Sequence, residues 1–154
     1  MKIEFIVNGQ PREFDVAASE TLLKVLREAG CWEVKEGCGE GVCGSCTVLF
    51  DDQPVSSCLV LAPLARGHSV ITVRGLQENG GSLHPLQEAL IRHGAVQCGF
   101  CTPGIVLTAF AFVERTPDVD REAIREALAG NLCRCTGYAK IVDAIEAYVK
   151  GVYG

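Results

Sequence analysis

This 154-residue chain has no run of basic residues and no long apolar stretch. Fourteen Lys and Arg against nineteen Asp and Glu give a formal charge of −5, with a pI of about 5.2. The basic side chains are scattered, which excludes a phosphate-tracking patch and with it nucleic-acid binding. The longest apolar stretches, 59–65 and 105–113, fall far short of the ~20 residues that cross a bilayer, so no membrane span is expected. The start, Met1-Lys2-Ile3-Glu4-Phe5-Ile6-Val7, alternates polar and apolar and carries an acid where a secretory signal would be apolar. Histidine is scarce. His68, His84 and His93 are dispersed and read as surface or capping residues, and no Ser/His/Asp or paired-carboxylate arrangement marks a substrate site.

Apolar residues are plentiful: 48% of the chain is hydrophobic, with 17 glycines besides, which excludes disorder. Nine cysteines in 154 residues lie below the roughly 8–10% that marks a disulfide scaffold. The expected setting is soluble and cytoplasmic, where thiols stay reduced. Nine reduced cysteines then need another purpose, and metal is the first candidate.

The chain divides in two. Strands are expected over 2–7 and 10–16, around the hairpin signal Asn8-Gly9. A helix over 20–29 follows, with Leu22, Leu23, Val25 and Leu26 on one face. After the glycine-rich segment 37–46, strands are expected over 47–50, 55–58 and 69–73, with 51–54 as a turn. Segment 77–82 reads as a polar linker, and helices are expected over 85–93, 103–113, 121–128 and 138–149. Pro85 and Pro103 suit first-turn positions, and Asp120 suits an N-cap. The expectation is an α+β chain, a small mixed sheet with one helix followed by four short helices. The boundary falls between domains 1–76 and 77–154, and each has four cysteines with Cys31 left over.

The first group is Cys38-x4-Cys43-x2-Cys46-x11-Cys58. C-x4-C-x2-C followed by a distant cysteine is the plant-type ferredoxin spacing for a [2Fe–2S] cluster. Two sulfide-bridged irons need four converging thiolates, three from one tight loop and one from a neighbouring segment. The interleaved Gly37, Gly39, Gly41 and Gly44 let such a loop turn its N–H groups toward sulfur. The competing reading is zinc, but the second short pair of a usual zinc finger is missing. The second group, Cys98-x2-Cys101 and Cys133-x-Cys135, is less specific: by spacing it suits an iron–sulfur cluster, zinc or a redox dithiol. Both of its pairs precede an expected helix, whose N-terminus favours anionic thiolates.

Three strings carry a resemblance. Glu36-Gly37-Cys38-Gly39-Glu40-Gly41-Val42-Cys43-Gly44-Ser45-Cys46-Thr47-Val48, Gln97-Cys98-Gly99-Phe100-Cys101-Thr102-Pro103-Gly104 and Asn131-Leu132-Cys133-Arg134-Cys135-Thr136-Gly137-Tyr138 resemble the iron–sulfur subunit of the molybdenum hydroxylases, the xanthine oxidase family. The likeness runs in order along essentially the whole chain. It implies an N-terminal plant-ferredoxin-like β-grasp domain and a C-terminal four-helix bundle, with one [2Fe–2S] cluster each. In that family a large subunit holds a molybdopterin dinucleotide and hydroxylates substrate with oxygen from water. Electrons then cross two clusters and usually reach FAD on a medium subunit, often in a dimer of heterotrimers. The resemblance places Cys98, Cys101, Cys133 and Cys135 on the cluster nearer the pterin, and Cys38, Cys43, Cys46 and Cys58 on the cluster nearer FAD. It also makes Gln97 a hydrogen-bonding partner of the pterin cofactor and brings Cys135 against it.

Two oxidised clusters, each about −2 with its thiolates, would take the chain to about −9, a charge that N–H donors must offset. The leading expectation is an electron-transfer subunit of a heterocomplex. A free-standing two-cluster carrier is the alternative, and a zinc-stabilised interaction module a third. Cys31 is expected to be a buried small hydrophobe, and Trp32 to pack the sheet core or a subunit contact. Phe100 and Tyr138 are expected to shield the second cluster. Arg134 either contacts a partner or offsets cluster charge.

Overall fold

A computed structural model describes residues 1–77, 81–116 and 118–152. Strand β1 (Lys2–Val7) buries Ile3, Phe5 and Val7 and turns back at Asn8-Gly9 into β2 (Gln10–Asp15). Both turn residues have positive φ, at 50° and 77°, the two-residue geometry that matches strand twist. Helix α1 (Leu22–Glu28) begins where the Thr21 hydroxyl accepts the Lys24 N–H, and it buries Leu22, Leu23, Val25 and Leu26. Strands β3 (Thr47–Phe50), β4 (Gln53–Ser56) and β5 (Ser69–Ile71) complete a mixed sheet in the order β2-β1-β5-β3-β4, with β1 and β5 parallel.

The strand expected over 55–58 begins two residues earlier. Asp51 and Asp52 take positive φ of 45° and 63°, so they alone make the turn, and Pro54 joins edge strand β4 opposite Leu49. A proline without an N–H is tolerated at an edge, and this one reads as a loop in sequence for that reason. Strand β5 ends early because the chain coils into a 3₁₀ turn, Val73–Leu76.

The second half holds α2 (Pro85–Arg92), α3 (Thr102–Arg115), α4 (Arg121–Ala127) and α5 (Ala139–Val149). Pro85 and Pro103 sit in first turns, and the Asp120 carboxylate accepts the Ala123 N–H as expected. Part of the expected linker, 78–80, lies outside the described residues. Helix α2 packs on α5, which also meets α4, around fully buried Leu86, Ile105, Ile141 and Ile145. Each such side chain contributes about 1.5–3 kcal/mol by leaving water. The architecture is a β-grasp sheet followed by a four-helix bundle.

Buried apolar side chains form two clusters, one around Phe5, Leu22, Leu26 and Val48 and one inside the bundle. Leu49 of β3 belongs to the bundle's cluster, because α3 lies along β3. Both ends of α3 are fastened to the sheet domain. At its start a Cβ on Gly104 would collide with the Gly44 carbonyl. At its end the Arg115 guanidinium bonds the Asp52 carbonyl and the Gln53 side chain.

Candidate metal centres

Loop 37–46 curls around the first sulfur. Cys38 Sγ accepts the backbone N–H groups of Glu40 (3.5 Å), Val42 (3.3 Å) and Cys43 (3.4 Å). The N–H groups of Glu40 and Cys43 hold its thiol down to about 6. A Cβ on Gly37 would lie 2.8 Å from Cys43 Sγ, so the loop closes this tightly only with glycine there. Cys46 and Cys58 lie buried beneath, at 2% and 7% exposure, whereas Cys38 is exposed.

The sulfurs associate in twos. Cys38 meets Cys43 and Cys46 meets Cys58 in the first group. In the second, Cys98 and Cys135 Sγ are 3.5 Å apart and Cys101 meets Cys133. Each group therefore has an inner pair, Cys46/Cys58 or Cys101/Cys133, and an outer pair nearer solvent. Among the described residues no three His, Cys, Asp or Glu close on a single ion. Mononuclear zinc needs four ligands around one point, whereas a dinuclear cluster takes two thiolates per iron. The donor arrangement favours the latter.

Protonation points the same way. Burial, reinforced by the adjacent Cys46, pushes Cys58 up to about 11. Burial and Cys133 push Cys101 up to about 12. The Phe100 N–H and then Cys135 lower Cys98, while Cys98 raises Cys135. Burial opposes ionisation of Cys133, but the Thr136 hydroxyl and nearby N–H groups outweigh it, and its thiol is lowered. In the second group each pair thus has one thiol lowered and its partner raised. A coordinated cation deprotonates a thiol outright, so these donors fit a cationic cluster core.

The second group is assembled from two turns. Cys101 is the residue before α3, and Cys133 and Cys135 precede α5, as the sequence led us to expect. Tyr138 N-caps α5 at φ 67° and its hydroxyl accepts the Cys133 N–H at 2.7 Å. Gln97, next to Cys98 in the chain, is exposed, and so is Cys135. Phe100 is 44% exposed and leans over Gly37, so it sits between the groups and not only beside the second. Trp32 does not pack the core. It is 62% exposed with the Arg27 guanidinium 5.4 Å from its ring centroid. Cys31 is buried as expected, and the histidines serve structure: His84 caps α2, His93 ends it, and His68 pairs with Asp51.

Sequence reasoning missed the seam between the groups. Asn131, 4% exposed, donates from Nδ2 to the Gly44 carbonyl at 3.1 Å, and Leu132 N–H donates to the Cys43 carbonyl at 2.9 Å. Gly44 has φ +68°, and a Cβ there would strike the Gly130 carbonyl and Asn131. Thr136, whose Oγ1 is 3.1 Å from Cys133 Sγ, was missed as well. Its position three residues after a candidate ligand, Cys133, was the one available signal.

A sheet domain and a helical domain that each gather four thiols in facing pairs define a two-centre iron–sulfur electron-transfer protein. The 2Fe-2S iron-sulfur cluster binding domain family matches residues 5–69, and the [2Fe-2S] binding domain family matches residues 72–146. The chain is 47% identical over 150 residues to the nicotinate dehydrogenase small FeS subunit of Eubacterium barkeri, covering 96% of this chain and 94% of that one. It is 45% identical to the xanthine dehydrogenase iron-sulfur-binding subunit of Escherichia coli O157:H7, over 93% of this chain and 91% of that one. Quinoline 2-oxidoreductase from Pseudomonas putida 86 superposes with a TM-score of 0.91 at 47% identity, covering 98% of this chain and 97% of the matched chain. The chain belongs to the small iron–sulfur subunits of the molybdenum hydroxylases, the xanthine oxidase family. It is the two-[2Fe–2S] electron-transfer subunit of a multi-subunit oxidoreductase with a large partner subunit, and a free-standing carrier is not favoured. No helix among the described residues is long and apolar enough to cross a membrane.

Proposed function

We propose that Cys38, Cys43, Cys46 and Cys58 hold one cluster and Cys98, Cys101, Cys133 and Cys135 the other, in domains that divide near 76/77. Two buried clusters support a two-part division, with Leu49 and Leu76 of the first segment joining the second cluster. When bound, the two clusters supply one-electron uptake and release. The chain holds eight thiols in pairs, aims N–H groups at sulfur, and locks the two sites against each other. The observation that carries the reading is the seam. Cys43, a ligand of the first site, accepts from Leu132, the residue before a ligand of the second. A short hydrogen-bonded path between sites suits a fixed conductor better than two independent centres.

In this reading the exposed Gln97 and Cys135 face the molybdopterin cofactor of the large subunit, as the resemblance implies. Electrons leave that cofactor, cross the chain and pass to FAD on a medium subunit. The assembly is a dimer of heterotrimers in the cytoplasm.

Iron, acid-labile sulfide and EPR of the dithionite-reduced complex, purified without air, test the ligand assignment. About four irons per chain and two S = 1/2 signals are expected. Two irons, or any zinc at the second group, would overturn it. Molybdenum and flavin that co-purify with the chain test the partners.

A further inference from the structure

The first group draws its N–H donors from the backbone, as the three bonds to Cys38 show. Such donors persist through most substitutions. At the second group, Thr136 Oγ1 lies 3.1 Å from Cys133 Sγ and also accepts the Tyr138 N–H at 3.2 Å. The Cys133 N–H is itself engaged by the Tyr138 hydroxyl at 2.7 Å. Tyr138 makes both bonds from a left-handed backbone at φ 67°, a conformation an aromatic residue holds only when its surroundings over-determine it.

This arrangement fixes the direction of the bond to sulfur. A ligating Cys133 carries no proton, so the one proton shared between Sγ and Oγ1 belongs to the hydroxyl. With the Tyr138 N–H occupying an oxygen lone pair, that proton is left to point at sulfur. Reduction adds negative charge to a cluster and its thiolates, and a donor to sulfur stabilises the more negative state more.

We propose that Thr136 is a positioning residue that sets the reduction potential of the C-terminal cluster, by donating its hydroxyl proton to the Cys133 sulfur. The proposal rests on Cys133 being a cluster ligand. The Cys38 donors of the first centre are all backbone, whereas the second centre adds one side-chain hydroxyl to its backbone donors, and that hydroxyl can be changed by a single substitution. That is a means of matching the second centre to its electron donor while the first stays constant.

The test is an EPR-monitored redox titration of both signals in the anaerobic complex, for wild type, Thr136→Val and Thr136→Ser. The isosteric Thr136→Val should lower the second centre's potential, changing its reduction equilibrium about tenfold, or ~59 mV for one electron. Thr136→Ser should restore most of that shift, and the first signal should not move in either. An unshifted Thr136→Val, or a Thr136→Ser shifted as far as Thr136→Val, would overturn the proposal. If Thr136→Val fails to load the second cluster, Thr136→Ala is titrated in its place against Thr136→Ser under the same criteria. Loss of the signal from both Val and Ala variants, with Ser loaded, would place the hydroxyl on the cluster. Loss from Ser as well would overturn the assignment. A wild-type complex lacking the second signal refutes the ligand assignment itself, whereas two wild-type signals with no shift in the variants refute the role of Thr136 alone.

Discussion

The two cysteine groups reach similar paired geometry by different routes. In the N-terminal half a single loop, 37–46, supplies three of the four thiols and wraps Cys38 in its own N–H groups, and only Cys58 comes from elsewhere. In the C-terminal half two short turns, brought together by α3 and α5, supply two thiols each, and side chains such as Thr136 and Tyr138 complete the hydrogen bonding. The first site is mostly local and should survive moderate strain in its domain. The second is a product of helix packing and should fail with it.

Removal of single ligands tests this most severely. Cys58→Ser is expected to abolish the first EPR signal and leave the second, and Cys101→Ser the reverse, with iron falling by about half in each. Simultaneous loss of both signals from either variant would contradict two separable sites.

Gly44→Ala should damage the seam and so blur the distinction between halves. It combines a left-handed backbone penalty with a Cβ forced into Gly130 and Asn131, together about 4 kcal/mol. Thermal unfolding should shift down and both clusters should load poorly. Retention of full iron would mean that the loop relaxes.

Ile145→Ala separates the halves again. This fully buried residue of α5 should cost about 3 kcal/mol, with the second signal lost on heating before the first. Asn131→Ala is milder, at about 1–2 kcal/mol, because Thr47 also bonds the Gly44 carbonyl through its hydroxyl at 2.7 Å. Its expected signature is weaker magnetic coupling between the reduced clusters, without loss of iron.

The smallest effect concerns pH and only the sheet domain. The Ser69 N–H, then His68, hold the Asp51 carboxyl below its ordinary value. The resulting stabilisation is complete above the ordinary carboxylate range and disappears as pH falls through the lowered value. Asp51→Asn should therefore unfold slightly earlier than wild type at neutral pH, and the gap should close in acid. A gap that persists in strong acid would mean that the turn, not the charge, was lost.

Much of this molecule was legible before any coordinates. The β1–β2 hairpin, the five α-helices and the two groups of four cysteines follow from hydrophobic period, turn residues and ligand spacing, all of which act over a few residues. The misplaced start of β4 has a local cause too. Asp51-Asp52 can adopt the same positive-φ turn as Asn8-Gly9, but Pro54 looks like a breaker until its place on a sheet edge is known. Of the two places expected for Trp32, its exposure removes the sheet core, because a lone large aromatic carries no sign of which way it points.

Spacing and composition were sufficient to determine two cysteine centres in two subdomains, since a contiguous ligand loop and an amphipathic helix are specified by near neighbours. The pairing of Cys98 with Cys135 and of Cys101 with Cys133 was settled only by packing, because those residues come from turns more than thirty positions apart in the chain. The same holds for the Gly44–Asn131 seam, which joins residues 87 positions apart. Contacts of that range depend on how α3 lies along β3, and no local pattern in the chain encodes that docking.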